Sequence, residues 1–150
     1  MKVLLEYREQ RRFRLHEFVL MPDHLHVLLT VGPEKTVERA AQFIKGGFSF
    51  RAGREMDFRG TFWQRGFPET RVLDETSFRS HAEYIRNNPV RAHLVASPEL
   101  YPFCSACPRY HLDPAPQGLK PSIFNAVLRH GSHPSAPNAG APGTPLKAVP

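Results

Sequence analysis

Hydrophobic positions along this chain follow two rhythms. Residues 3–10 (Val-Leu-Leu-Glu-Tyr-Arg-Glu-Gln) read as the end of a short helix with no capping side chain before it, as though a segment upstream were absent. From Arg14 to Val31 the pattern changes to two strands. Phe18-Val19-Leu20 runs into Met21-Pro22-Asp23, then His24-Leu25-His26-Val27-Leu28-Leu29 forms a second apolar stretch, so Pro22-Asp23 predicts the turn of a β-hairpin. Thr36 is suited to cap a helix whose apolar positions Val37, Ala40, Ala41, Ile44 and Phe48 recur at helical spacing. Gly46 and Gly47 each cost about 1 kcal/mol relative to Ala, which predicts a bend or an early end in its second half. Residues 51–66 are basic and irregular, and a short strand is expected at Thr70–Leu73. Asp74 then caps a helix through Phe78, Ala82 and Ile85. That helix should end near Asn87, because Pro89 disfavours helical backbone just before it. Beyond Pro98 the chain reads as loop. Residues 131–150 hold no aromatic residue and are mostly Gly, Pro, Ala and Ser, so they read as a disordered tail.

Helices and strands mixed in this way predict an α+β protein. A chain of 150 residues suits one domain, and 41% hydrophobic content with 11 Phe is enough for one core. The 15 prolines, about double average usage, gather toward the last third, so the folded part is expected to be shorter than the chain. No apolar run approaches the roughly 18 residues of a membrane span. Glu6 and Arg8 follow the opening Met1-Lys2-Val3-Leu4-Leu5 at once. The expectation is a cytoplasmic protein, neither secreted nor membrane-bound. Two cysteines argue against a disulfide framework. Twenty Lys+Arg against 14 Asp+Glu leave a charge of +6, which favours an acidic partner, most commonly nucleic acid.

Candidate chemistry begins with His24 and His26. Side chains two apart on a strand share a face, with Leu25 turned to the core. Two neutral imidazoles side by side make half of a divalent-metal site, although an HxH pair alone also suits an ordinary basic chain rich in His. Tyr84 and Asn88 lie four apart and share one helical face, while Phe78, Ala82 and Ile85 cover another. A phenol is a poor nucleophile at neutral pH, because its ordinary pKa is about 10. Attack on phosphorus becomes feasible where a metal polarises the phosphate. Asn88 offers an amide oxygen, and two imidazoles, an amide, water and phosphate suit magnesium or manganese better than tetrahedral zinc. Lys45, Arg51, Arg54, Arg59 and Arg65 surround Phe58, Phe62 and Trp63, rings that can stack on unpaired bases, while Arg86 and Arg91 flank the tyrosine helix. A solvated basic face has the same composition. Lys45, Arg51, Arg54, Arg65, Arg86 and Arg91 are the expected DNA contacts.

Three segments in order carry a resemblance to a known family. They are Met21-Pro22-Asp23-His24-Leu25-His26-Val27-Leu28-Leu29, Phe62-Trp63-Gln64-Arg65-Gly66-Phe67 and Tyr84-Ile85-Arg86-Asn87-Asn88-Pro89-Val90-Arg91-Ala92. Together they resemble the single-tyrosine HUH transposases (IS200-like), most strongly the branch associated with repetitive extragenic palindromes (REP). Tyr101-Pro102-Phe103 followed by Ser105-Ala106 is similar to the segment after the helix in these proteins. The resemblance implies a ferredoxin-like antiparallel sheet with helices on one face. It also implies cleavage of single-stranded or hairpin DNA by a tyrosine that becomes linked to a 5′-phosphate, leaving a free 3′-OH. Carried over by residue, Tyr84 is the nucleophile, His24 and His26 are metal ligands, and Asn88 matches the third ligand of an Mg2+ or Mn2+ ion. Relatives act as monomers or homodimers. The chain then divides into a transposase domain over residues 1–110, a loop-like extension over 111–130, and the tail.

One departure stands out. Relatives begin with a further strand and most of a helix before the segment that matches Val3–Gln10. In a ferredoxin-like sheet that first strand is central, between the HxH strand and the last one. Its absence would leave two rows of backbone groups unpaired and part the Tyr84 helix from the histidine face. The expectation is a truncated protein with weak or no activity, unless a partner chain or the segment after Pro102 supplies the strand. Two rival functions remain at this point. One is a DNA-binding relative that has lost turnover. The other is a zinc-stabilised nucleic-acid-binding module built on Cys104-Ser105-Ala106-Cys107 and His111.

Overall fold

The computed structural model describes residues 1–116 and 123–130. Its elements in chain order are α1 (Lys2–Glu9), β1 (Arg14–Leu20), β2 (His24–Thr30), α2 (Val37–Met56), β3 (Glu69–Arg71), α3 (Glu75–Arg91) and β4 (Ile123–Arg129). A single 3-10 turn at Pro98–Leu100 follows α3. The strands form one antiparallel sheet in the order β1-β2-β4-β3, so the α+β antiparallel class expected from the sequence is the class observed. Among the described residues no helix is long and apolar enough to cross a membrane.

β4 overturns part of the sequence reading. Residues 123–129 were expected to be loop, yet they pair with β2 from His24↔Arg129 to Thr30↔Ile123 and with β3 from Glu69↔Ala126 to Arg71↔Phe124. They alternate in a period of two. Phe124, Ala126 and Leu128 pack on one face, while Ile123 joins the cluster on the other. This is the central place that a ferredoxin-like sheet gives to its first strand. The two edges expected to be bare are both paired. The predicted tail, residues 131–150, lies outside the described residues, as do residues 117–122 of the predicted loop-like extension.

The helices cover both faces rather than one. Leu25, Val27 and Leu29 of β2 pack with Leu4 of α1 and with Val37, Ala40, Ala41 and Ile44 of α2. On the opposite face Leu28 meets Phe78, Ala82 and Ile85 of α3. With both β2 faces covered, its run of buried positions is nearly continuous, as a strand between two helical layers requires. The outer edge of β1 is closed by the chain after α3. Leu20 N–H donates to Phe103 C=O, Ser105 N–H to Phe18 C=O, and Asp113 N–H to Leu15 C=O.

Two helix boundaries also differ from expectation, each for a packing reason. α2 does not break at Gly46-Gly47 but runs to Met56, so residues 51–56 of the supposedly irregular segment are helical. Gly47 serves close approach. A Cβ there would stand 2.5 Å from the Tyr7 ring and 2.9 Å from Val3, so the missing side chain is what lets α1 lie on α2. α3 continues past Pro89 to Arg91. Pro89 is fully buried and sits in the last turn, where the Ala92 and Leu94 N–H groups still reach the Asn88 and Pro89 carbonyls. Pro89 has no N–H to give the Ile85 carbonyl, a cost that its burial offsets.

Candidate functional site

The site lies on the α3 side of the sheet. β2 presents His24 and His26 to that face and Leu25 to the other core, as strand parity predicts. The two imidazoles meet edge to face with centroids 4.7 Å apart. Tyr84 projects from α3 onto them, its ring 5.6 Å from that of His26 and 41% exposed. Asn88 follows one turn later on α3, half-buried. Asp74 starts this helix by accepting from the Ser77 N–H, and Phe78, Ala82 and Ile85 anchor it, which fixes the direction in which Tyr84 points. Continuation through Pro89 keeps Asn88 in helical register with Tyr84.

The two histidines are held differently. His24 is hydrogen-bonded through Nδ1 to the Asp23 carboxylate at 2.6 Å, which leaves Nε2 as its ligating atom and orients the ring as second-sphere carboxylates do. His26 is buried, and its Nδ1 has no partner. Burial first, then the nearby His24 and Arg129, lower its pKa to about 4, with Asp23 opposing weakly. A neutral imidazole with an unpartnered buried nitrogen is in the state that binds metal. The two imidazoles are donors of a type that suits a divalent cation, and Asn88 offers an amide oxygen one turn after Tyr84. Among the described residues no three His, Cys, Asp or Glu side chains gather at one point, so further ligands would come from Asn88, water and substrate.

The predicted DNA contacts do not form one patch. Lys45 spends its ammonium on the Gln64 and Gly66 carbonyls at 2.8 and 2.7 Å. Arg51 pairs with Glu6 at 2.8 Å, and Arg86 lies 3.6 Å from Glu17. Arg54 stacks over Phe50, whereas Arg65 is simply exposed. Arg91 is the one brought to the site: its guanidinium lies 5.1 Å from the centre of the Tyr84 ring. Cys104 belongs to the core beneath α3, its thiol turned to the Arg86 carbonyl. Among the described residues no trio of His, Cys, Asp or Glu side chains surrounds it.

β4 adds residues that no spacing in the sequence links to the site. Arg129 stands directly opposite His24 in the ladder, so its exposed side chain shares the histidine face. Asn125 donates from Nδ2 to His81 Nδ1 at 2.9 Å, tying β4 to α3 three residues before Tyr84. The signal available in the sequence was the short apolar run Ile123-Phe124-Asn125-Ala126-Val127-Leu128-Arg129, with its β-branched and aromatic residues, bounded by Pro121 and Gly131.

Comparison with known proteins identifies relatives of this chain. The REP-associated tyrosine transposase of Escherichia coli (strain K12) is 27% identical over 120 residues, covering 79% of this chain and 66% of the relative. An uncharacterized protein of Haemophilus influenzae (strain ATCC 51907 / DSM 11121 / KW20 / Rd) is 27% identical over 99 residues, 51% of this chain and 54% of that protein. The chain thus spans about two-thirds or less of these relatives. A solved REP-associated tyrosine transposase bound to a REP hairpin shares the fold, with a TM-score of 0.61 and 23% identity over 79% of this chain and 73% of that one. The profile of the family described as "Transposase IS200 like" matches residues 1–88, more than half of the 150, and the chain belongs to that family.

Proposed function

We infer that this protein is a metal-dependent transposase or endonuclease that cleaves and rejoins single-stranded DNA through a 5′-phosphotyrosine. The observation that carries the reading is Tyr84 against His26, 5.6 Å between rings, on the face His26 shares with His24. The Tyr84 oxygen attacks the scissile phosphorus, its proton leaves, the bond from phosphorus to the 3′ oxygen breaks, and that oxygen departs as a 3′-OH. Attack by a 3′-OH on the phosphotyrosine reverses the step and releases Tyr84, so the covalent bond conserves the energy for rejoining. Arg91 over the Tyr84 ring and Arg129 opposite His24 bring positive charge to a place that must accept a phosphodiester and a developing phenolate. His24, His26 and Asn88 would hold a magnesium or manganese ion, which when bound supplies polarisation of the phosphate. Hairpin DNA is the substrate best matched by the relative solved with a REP hairpin.

The test is incubation of the protein with a 5′-extended hairpin oligonucleotide and manganese, followed by denaturing electrophoresis. A covalent protein–DNA band is expected, absent with chelator and absent in Tyr84→Phe, which should still bind DNA. Changing His24 or His26 to Ala should remove cleavage and leave the fold intact. An adduct formed by Tyr84→Phe would move the nucleophile to Tyr7, Tyr101 or Tyr110 and sink the assignment. Uncleaved DNA with the unaltered protein would favour a binding relative without turnover.

A further inference from the structure

Asn125 is a buried polar side chain in the middle of β4. It lies opposite Leu28 of β2 and Thr70 of β3. At the same strand parity, Arg129 and Val127 lie opposite His24 and His26, so Asn125 occupies the histidine face one row from His26. Its Nδ2–H donates to His81 Nδ1 at 2.9 Å, while its Oδ1 is buried with no hydrogen-bond partner among the described residues. An amide nitrogen only donates, so His81 Nδ1 accepts and the ring proton sits on Nε2. A half-satisfied buried amide costs stability that Leu would not. What it supplies instead is direction.

We propose that Asn125 is a positioning residue that acts through His81: it fixes the rotation and axial setting of α3 and so holds Tyr84 over His26. The proposal rests on the function inferred above, in which Tyr84 attacks phosphorus. His81, Tyr84 and Asn88 recur at spacings of three and four, so they form one stripe of α3. Phe78, Ala82 and Ile85 form another stripe, packed in the cluster that holds Val19 and Leu28. Apolar packing presses the helix onto the sheet but is non-directional, so it resists small slides and turns of α3 only weakly. A hydrogen bond weakens steeply once its angle departs from the preferred range. The His81 bond stands one turn before Tyr84, on the same stripe, and ends on the strand beside β2. A second polar tie, Arg86 to Glu17 at 3.6 Å, is longer and joins α3 to β1 through an exposed guanidinium.

Tyr84 depends on this setting. Among the described residues nothing hydrogen-bonds its hydroxyl, and its contacts are those of its ring with His26 and Arg91. The placement of α3 therefore decides where the phenol oxygen points. Attack on phosphorus needs an in-line approach, and a displacement of about 1 Å costs on the order of a hundredfold in rate. The effect of Asn125 should accordingly fall on the chemical step and not on DNA affinity or on stability.

Asn125→Leu removes the tie and keeps the space filled. Its melting temperature should equal or exceed that of the unaltered protein, and it should bind hairpin DNA equally well in chelator. Adduct formation with manganese at saturating DNA should slow about a hundredfold. His81→Leu should slow the step similarly, and the double variant should be no slower than either single one, because both break one bond. His81→Gln, which keeps an acceptor at the same helical position, should recover part of the rate. A lowered melting temperature with an unaltered rate, or losses that multiply in the double variant, would overturn the proposal. A second readout needs no cleavage. In chelator, NMR of the histidine rings should show His81 with its proton on Nε2. The His26 ring signals, which feel the Tyr84 ring 5.6 Å away, should move in Asn125→Leu. Unmoved His26 signals would overturn the positioning of Tyr84, whereas a shift in a protein that forms no adduct would retain it and discard cleavage.

Discussion

His16 and His26 are both buried imidazoles whose burial lowers their pKa below the ordinary value of 6.5. The unfolded chain therefore binds more protons than the folded one between the two values. Their contribution to stability is complete above pH 6.5 and is lost as pH falls toward the folded value, about 4 for His26. In chelator the melting temperature should drop by several degrees between pH 7 and pH 5, and His16→Asn should flatten part of that slope. A melting temperature independent of pH over this range would contradict the assignment. Arg129 makes a separate prediction. If it meets a phosphate, Arg129→Gln should weaken DNA binding about tenfold and lower the salt slope by about 0.7; unchanged slope and affinity would exclude the contact. These residues were unequally legible. Strand parity put His24 and His26 on one face, and helical spacing put Tyr84 and Asn88 together on α3, whose Tyr84 ring lies 5.6 Å from that of His26. Nothing local links Arg129 to His24, because their adjacency exists only once β4 has paired with β2.

At the scale of elements, glycine and proline carried the ambiguity. Propensity treats Gly46 and Gly47 alike, but the packing separates them. A Cβ at Gly46 meets nothing within 4 Å, whereas one at Gly47 would collide with Tyr7 and Val3. Gly46→Ala should therefore stabilise the protein by up to about 1 kcal/mol. Gly47→Ala should destabilise it by about 1–3 kcal/mol, since α1 would be pushed from α2. Chemical denaturation of both variants checks the pair, and equal effects would show that α1 yields easily. Pro89 was legible as a helix boundary only in the sense of a local preference. Its full burial, a tertiary fact, outweighs that preference and carries α3 one turn further, through the position of Asn88. Caps were more transparent: Thr36 and Asp74 each accept the backbone N–H three residues on, because this contact needs only the chain's own neighbours.

For the whole molecule, β4, the last strand of the described residues, takes a central place in the sheet, between β2 and β3. Covalent connection and spatial neighbourhood are separable when the ends to be joined lie close. Met1 and His130 line the same cavity, so they are close. This predicts that residues 121–130 can be moved ahead of Met1 through a short Gly/Ser linker, with the chain ended at Pro116, and still form the sheet. The permuted protein should melt cooperatively, within a few degrees of the original. The strand itself is indispensable, for it pairs with β2 along its full length and buries Ile123, Phe124, Ala126 and Leu128 between the two helical layers. Ending the chain at Pro116 without moving the strand should abolish the cooperative transition, because β2 and β3 would each expose a row of unpaired backbone groups. Circular dichroism during heating distinguishes the cases. A shortened chain that melts sharply would mean that β1, β2 and the helices suffice. A permuted chain that fails to fold, beside an intact original, would mean that the segment joining Pro116 to Ile123 contributes more than a connection.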